Sequence, residues 1–169
     1  DRKMPLLGNK LVIVAARPAM GKTSLMLLMA TETARTLGPV LIFTLEMTGV
    51  QLGQRYVAMR FGVPIETIEQ GTLSGEQMDA LGRGLDAFSQ LPILVNPDDG
   101  MALTAEALVA QVEIHAEECA RKGTPLAMVV IDYLGLMKHD EDAENTDKAI
   151  GKITRALKRL TRRLKIPVV

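Results

Sequence analysis

Three consecutive residues, Gly21, Lys22 and Thr23, carry the clearest chemistry in this chain. They lie within residues 11–28, LVIVAARPAMGKTSLMLL, where a Val/Ile-rich run, a tight loop and a Leu/Met-rich run follow one another. Backbone N–H groups and the dipole at a helix N-terminus favour an anion, so this order predicts a phosphate-binding loop between a buried strand and a helix. Lys22 is placed to reach the β- and γ-phosphates of a nucleotide, and the Thr23 hydroxyl to hold Mg²⁺.

The loop departs from the usual G-x-x-x-x-G-K-[ST] pattern at one position, because Ala16 stands where the first glycine is expected. G-K-T alone is a weak signal, and an ordinary strand–turn–helix with a chance lysine is the alternative. The flanking strand and helix patterns make the signal strong. The residues predicted to contact the nucleotide are Ala16, Arg17, Pro18, Ala19, Met20, Gly21, Lys22, Thr23 and Ser24.

Two carboxylates end other apolar runs, Asp132 in AMVVID and Glu46 after VLIFTL. Ligands of open parallel sheets bind beyond the carboxyl ends of the strands. Asp132 is therefore predicted to hold Mg²⁺ with Thr23, and Glu46 to accept a proton from the water that attacks the γ-phosphate. Each has a plainer alternative. Asp132 could cap the turn that follows it, and residues 46–48 could begin a helix with Thr48 and Gln51 as its capping box.

The hydrophobic pattern predicts an α/β fold with a mostly parallel sheet flanked by helices. Continuous apolar runs at 40–45 and 127–132, with shorter ones at 93–95 and 168–169, are typical of strands covered on both faces. Helical periodicity covers residues 22–37, 74–90, 104–122 and 146–164, and Ser74 and Gln77 form a capping box for the second of these helices. Alternation of the two patterns indicates parallel strands joined through helices.

Composition bounds the function only loosely. The 169 residues suit one domain, expected to span 1–169, and the 20 basic and 20 acidic residues cancel, so any nucleic-acid surface must be local. The single cysteine, Cys119, forms no disulfide framework, and no apolar run is long enough to span a bilayer. We therefore expect a cytoplasmic protein that does not enter the membrane. The terminal residues look like those of a piece of a longer protein.

Three segments resemble motifs of the bacterial replicative DNA helicases, the DnaB family: AARPAMGKTS (15–24), FTLEM (43–47) and VVIDYLGLM (129–137). The family's phosphate loop also begins with Ala, as Ala16 does here. The resemblance covers roughly residues 7–169 and includes GTLSGEQMDAL (71–81). It implies a RecA-like ATPase core that uses ATP and Mg²⁺ as the motor of a replicative helicase. It also implies a homo-hexameric ring on single-stranded DNA in the replisome, with a helicase loader and a primase as further partners.

By position in the resemblance, Lys22 and Thr23 match the phosphate and Mg²⁺ residues, Asp132 the Walker B aspartate and Glu46 the catalytic glutamate. Arg55 falls where the family places an arginine near the nucleotide base, although a surface helix residue is an equal alternative. Gly135 stands where the family usually carries Gln. The family's phosphate-sensing glutamine, DNA-binding loops, arginine finger and amino-terminal collar match no part of this chain. We therefore expect the segment alone to hydrolyse ATP weakly or not at all.

Two other functions remain open at this point: another RecA-like ATPase, such as a recombinase or recombination mediator, and a non-catalytic nucleotide-binding or docking domain. Residues 148–165 are rich in Lys and Arg and contain no acidic residue. They could follow a phosphate backbone, but a solvated or subunit-contact face of an amphipathic helix is favoured, because an acidic stretch precedes them. His115 and Cys119 could hold a metal; as only two ligands, they are expected to be core residues.

Overall fold

The computed structural model describes residues 8–17, 20–44, 47–96, 104–132 and 146–169, the last of these with side chains from 150 onward. Within them, three parallel strands form a sheet: β1 (Val40–Thr44), β2 (Ile93–Asn96) and β3 (Met128–Asp132), in the order β2-β1-β3. Thr44, the last residue of β1, lies opposite Asp132, the last residue of β3. The carboxyl ends of the strands therefore share one edge of the sheet.

Two single-residue bridges extend the sheet beyond β3, since Val168 pairs with Val129 and Leu11 pairs with Val168, both in parallel. The amide of Val12 donates to the carbonyl of Val168 over 2.8 Å. The prediction of a buried strand before the phosphate loop is therefore wrong in length and in burial. The pairing at Leu11 is a single-residue bridge, and Ile13 is 64% exposed. Among the described residues, the backbone pairing of segment 11–14 consists of the contacts of Leu11 and Val12 with Val168.

Six helices occupy the described residues: α1 (Lys22–Thr36), α2 (Gly49–Phe61), α3 (Ile65–Gln70), α4 (Gly75–Ser89), α5 (Ala105–Arg121) and α6 (Thr146–Leu164). The predicted capping box at Ser74 with Gln77 is confirmed. A capping box is also present at Thr48 with Gln51, as the alternative interpretation of residues 46–48 as a helix start required. Thr104 caps α5 by accepting a hydrogen bond from the Ala107 amide. The short α3 was not predicted, because six residues are too few to show a helical period.

Each face of the sheet has its own apolar core, as the continuous apolar runs predicted. On one face Leu41, Phe43 and Val129 pack with buried residues of α5 and α6. On the other face Val40 and Ile42 pack with α1 and α2. Successive residues of a strand point to opposite faces, so a strand covered on both sides is apolar throughout. This double cover buries β1 and β3, with their carboxyl ends at the same edge of the sheet.

Helix α4 packs closely against α2 at Gly84. A Cβ placed there would lie 2.6 Å from Val57 Cγ2 and 3.0 Å from Phe61 Cδ2, whereas a Cβ at Gly82 would meet nothing within 4 Å. The apolar stripe predicted on α4 is narrower than expected, because Met78 is 54% exposed. The interface of α4 with α2 therefore depends on a residue without a side chain at position 84.

A pair of glycine substitutions on α4 tests this contact. We expect Gly84→Ala to lower the free energy of unfolding by about 1–3 kcal/mol through overpacking. Gly82→Ala, on the same helix but in open space, should raise it by about 0.5–1 kcal/mol through helix propensity. Urea denaturation of both variants measures the difference. Equal effects of the two substitutions would show that the approach of α4 to α2 is not tight.

Candidate functional site

The carboxylate of Asp132 meets the first turn of α1 at the edge of the sheet. Thr23 Oγ1 donates a hydrogen bond to Asp132 Oδ2 over 2.9 Å, and Lys22 Nζ lies 3.4 Å from Asp132 Oδ1. The Asp132 residue is 4% exposed, whereas the Lys22 side chain is 31% exposed. Both carboxylate oxygens are therefore engaged by residues 109 and 110 positions away, and the lysine still reaches solvent.

The start of α1 has no side-chain cap. Gly21 is the N-cap residue with φ 79° and ψ 22°, a left-handed conformation that suits glycine, and α1 has no acidic residue in its first turn. Glycine offers no side chain to cap the first N–H groups of the helix, and such uncapped groups bind anions. Local backbone geometry and the Lys22 ammonium therefore favour a negatively charged ligand at this end of α1.

Burial explains why Asp132 needs these two partners. A carboxylate removed from water is costly unless a cation and hydrogen-bond donors surround it. Here the Lys22 ammonium supplies the charge and the Thr23 hydroxyl supplies a donor. The contact holds the start of α1 against the end of β3.

A cavity of about 260 Å³ adjoins the site. Its walls come from the backbone segment 11–16, from α1, from the end of β3 and from Leu157 of α6. Lys22 and Asp132 are the charged side chains among the lining residues that the structure describes, and most of the others are aliphatic. Charge is therefore concentrated at one part of an apolar cavity, where it acts in a medium of lower dielectric than water.

The remaining predicted loop residues lie around this start of α1. Ala16, Arg17 and Met20 are exposed, and Ser24 is partly buried in the first turn. The amide of Met20 donates to the carbonyl of Arg17 over 3.3 Å, which turns the chain towards Gly21.

Four residues with a role in the sequence interpretation lie outside the described residues: Pro18, Ala19, Glu46 and Gly135.

Arg55 lies on α2 and is partly buried. It is not among the described residues that line the cavity at Lys22, so its placement near a nucleotide base stays a prediction.

Thr44 is a neighbour of the site that was not predicted from the sequence. Its hydroxyl donates to the Met47 carbonyl and accepts from the Met47 amide, both over 2.9 Å. The signal was a hydroxyl residue at the end of an apolar run, where it can shape the turn after a strand.

His115 and Cys119 lie four residues apart on α5 and differ in burial. Cys119 is buried in the core as predicted, and this burial raises the pKa of its thiol. His115 is partly exposed, with Nδ1 3.7 Å from Glu118 Oε2, so the prediction of a core histidine is wrong. It lies beside the apolar stripe of α5 rather than within it. Among the residues that the structure describes, no group of three or more His, Cys, Asp or Glu side chains could hold a metal ion.

Comparison with known proteins decides the family. The model of the DnaB-like helicase C-terminal domain matches residues 5–169. This chain belongs to that family. A relative of this DnaB-like domain, the replicative DNA helicase DnaB of Nostoc sp., is 39% identical over 163 residues, which are 95% of this chain and 18% of the relative. The chain thus spans less than a fifth of that curated relative.

Solved structures agree on the fold. One match is the structure of a DnaB-like replicative helicase and its interactions with primase. Its TM-score is 0.81 at 23% identity, over 96% of this chain and 38% of that one. The RadB recombinase matches with a TM-score of 0.54 at 17% identity, over 96% and 60%. The predicted RecA-like α/β fold is confirmed, and the recombinase is the more distant of these two structures. As a member of a helicase ATPase family, the DnaB-like domain is a nucleotide-binding domain.

No helix among the described residues of the DnaB-like domain is long and apolar enough to cross a membrane.

Proposed function

We propose that this domain binds ATP with Mg²⁺ and hydrolyses it as the motor of a replicative DNA helicase. The observation that carries the proposal is the meeting of Lys22, Thr23 and Asp132 at the uncapped start of α1. A helix N-terminus, an ammonium group and a hydroxyl paired with a carboxylate are the parts that phosphoryl-transfer sites combine. The family to which the chain belongs supports the same reaction.

In this proposal the Lys22 ammonium and the loop amides hold the β- and γ-phosphates. Lys22 is partly exposed at the site, so an arriving phosphate can reach its ammonium from the solvent. Hard oxygen donors suit Mg²⁺, and such sites take one or two protein oxygens together with the phosphates. The Thr23 hydroxyl and the Asp132 carboxylate fit this requirement. When bound there, Mg²⁺ would neutralise charge that develops on the phosphates.

Glu46 is proposed to orient the attacking water and accept its proton. Support comes from the register, because Thr44 ends β1 directly opposite Asp132 and the chain leaves the strand at that edge. Arg55 is proposed to lie near the nucleotide base. The wider assembly is also a proposal from family likeness: a homo-hexamer on single-stranded DNA, with a loader and a primase as partners. One solved relative is described by its interactions with primase.

A single substitution separates binding from hydrolysis. In the full-length protein, Glu46→Gln should leave nucleotide affinity unchanged and lower the rate of ATP hydrolysis by about 100-fold, because the amide cannot accept the proton. Glu69→Gln, at an exposed position on α3, is the matched control and should hydrolyse ATP normally. Steady-state hydrolysis and nucleotide titration measure the two effects. Normal hydrolysis by the Glu46 variant would remove this residue from the reaction.

Unwinding of forked DNA by the full-length protein tests the function as a whole. Helicase activity that requires ATP, and that is lost in Thr23→Ala but kept in Thr36→Ala at the exposed end of α1, would support the proposal. Strand exchange without unwinding would favour the recombinase alternative. Nucleotide binding with neither hydrolysis nor unwinding would favour a docking domain.

A further inference from the structure

A groove lies between α5 and α6, with a volume of about 430 Å³. We call it the α5–α6 groove; its lining residues are Ala105, Glu106, Val109, Ala156, Arg159 and Arg163. Small apolar side chains make up one part of this lining and charged side chains the other. The groove shares no lining residue with the cavity at Lys22, which α6 contacts through Leu157. It is therefore a second surface, independent of the proposed nucleotide site.

The groove is bordered by the most basic surface of the described chain. From residue 150 to 165 no acidic residue occurs, and all the cations are exposed: Lys152, Arg155, Lys158, Arg159, Arg162, Arg163 and Lys165. Arg163 forms an ion pair with Glu113 of α5. Among the residues described, no ion pair is made by Arg159, which faces the groove. Positive charge is therefore available beside an apolar floor in a chain whose formal net charge is zero.

We propose that the α5–α6 groove docks an acidic amphipathic helix of a partner protein. An apolar side chain of that helix enters between Ala105, Val109 and Ala156, and a carboxylate on its flank pairs with Arg159. Helix-in-groove recognition uses apolar anchors spaced along one helical face, and a cleft between two helices suits it. Arg–carboxylate pairs are strong because they can form two parallel hydrogen bonds.

The same features disfavour a nucleic acid at this groove. A phosphate backbone gains nothing from the aliphatic floor of the groove. Neither α5 nor α6 carries a Phe, Tyr or Trp side chain on which a base could stack. The surface thus combines apolar and cationic features, which only a ligand with apolar and anionic groups matches fully.

A designed peptide tests the proposal on this chain. The probe is a fluorescent synthetic helix of about five turns, with Leu along one face and Glu on both flanks of that face. Fluorescence anisotropy should show it binding at least about tenfold more tightly than a scrambled peptide of the same composition. Amide NMR shifts should cluster at residues 105–109 and 156–163. Equal binding of the scrambled peptide, or shifts elsewhere, would overturn the proposal.

Three variants separate the groove from general charge. Arg159→Glu should weaken binding about tenfold by repelling carboxylates, and Ala156→Leu should do so by filling the floor. Lys152→Glu makes the same charge change outside the groove and should weaken binding by less than about twofold. Circular dichroism checks that each variant is folded, and the exposed Arg159 variant alone suffices if Ala156→Leu is not folded.

A single-stranded oligonucleotide serves as the competing polyanion. Suppose that it binds more tightly than the peptide, that both charge variants weaken it equally, and that Ala156→Leu has no effect. The surface would then be a contact for phosphate backbones, and the proposal of a protein helix would be wrong.

Discussion

Lys22→Ala is expected to weaken nucleotide binding by at least about 100-fold, since removing one partner of a desolvated charge pair costs about 2–5 kcal/mol. Two causes act together. The phosphates lose the ammonium group, and the carboxylate of Asp132, which is 4% exposed, is left beside them without its cation. Titration with a fluorescent nucleotide in the presence of Mg²⁺ measures the affinity. Hydrolysis of ATP by the full-length variant should be lost as well.

The control for this variant is Lys10→Ala. Lys10 is exposed, and it joins the sheet through its backbone carbonyl, which accepts a hydrogen bond from the Val168 amide, so removal of its side chain should leave affinity unchanged. Because Lys22→Ala leaves a buried carboxylate unpaired, it should also lower the free energy of unfolding. Adding Asp132→Asn should restore part of that stability, and only the part of the affinity that was lost to repulsion, because the phosphates still lack the ammonium group. If Lys22→Ala alone binds nucleotide as the unmodified chain does, the site is not where we propose it.

Asp132→Asn is expected to change how binding depends on Mg²⁺. The amide oxygen can still accept the Thr23 hydrogen bond, so the local geometry should persist, but the negative charge is gone. Without Mg²⁺, nucleotide should bind about tenfold more tightly, because the repulsion between carboxylate and phosphates is removed. With Mg²⁺, hydrolysis by the full-length protein should fall by about 1,000-fold, because the ion loses its charged protein ligand.

Nucleotide titrations in chelator and in Mg²⁺ measure this reversal directly. Asp86→Asn, at an exposed position on α4, is the matched control and should leave both titrations unaltered. A variant at position 132 with the same Mg²⁺ dependence as the unmodified chain would mean that Asp132 only joins α1 to β3. That outcome would restore the simpler interpretation of this residue as a structural cap.

Several elements could be predicted from the sequence because local signals agree with the fold. The helices α1, α4, α5 and α6 begin and end within one or two residues of the predicted bounds, since helical period, capping residues and turns coincide there. The buried strand expected before the phosphate loop depends instead on its neighbours in the sheet. A Val/Ile run indicates a strand, but not whether another strand covers its outer side.

The meeting of Asp132 with Lys22 and Thr23 followed from chemistry, because strand ends and helix starts share one edge in a parallel sheet. The register of β1 with β3 could not be predicted from the sequence, so the position of Thr44 opposite Asp132 was not predicted. The α5–α6 groove was missed for a related reason. It depends on how two helices rotate against each other, and the spacing of cations along α6 alone does not determine that. The roles of Glu46 and Arg55 stay predictions.

The hydrogen bond between Thr23 and Asp132 has a consequence for the order in which the chain folds. It joins residues 109 positions apart, so the two groups can meet only after β3 has docked beside β1 and α1 has covered them. Parallel pairing of distant segments is slow compared with local structure. A ligand that binds only the finished arrangement would stabilise it by about 2.7 kcal/mol at a hundred times its dissociation constant. Cellular nucleotide would then protect newly made copies from unfolding and proteolysis.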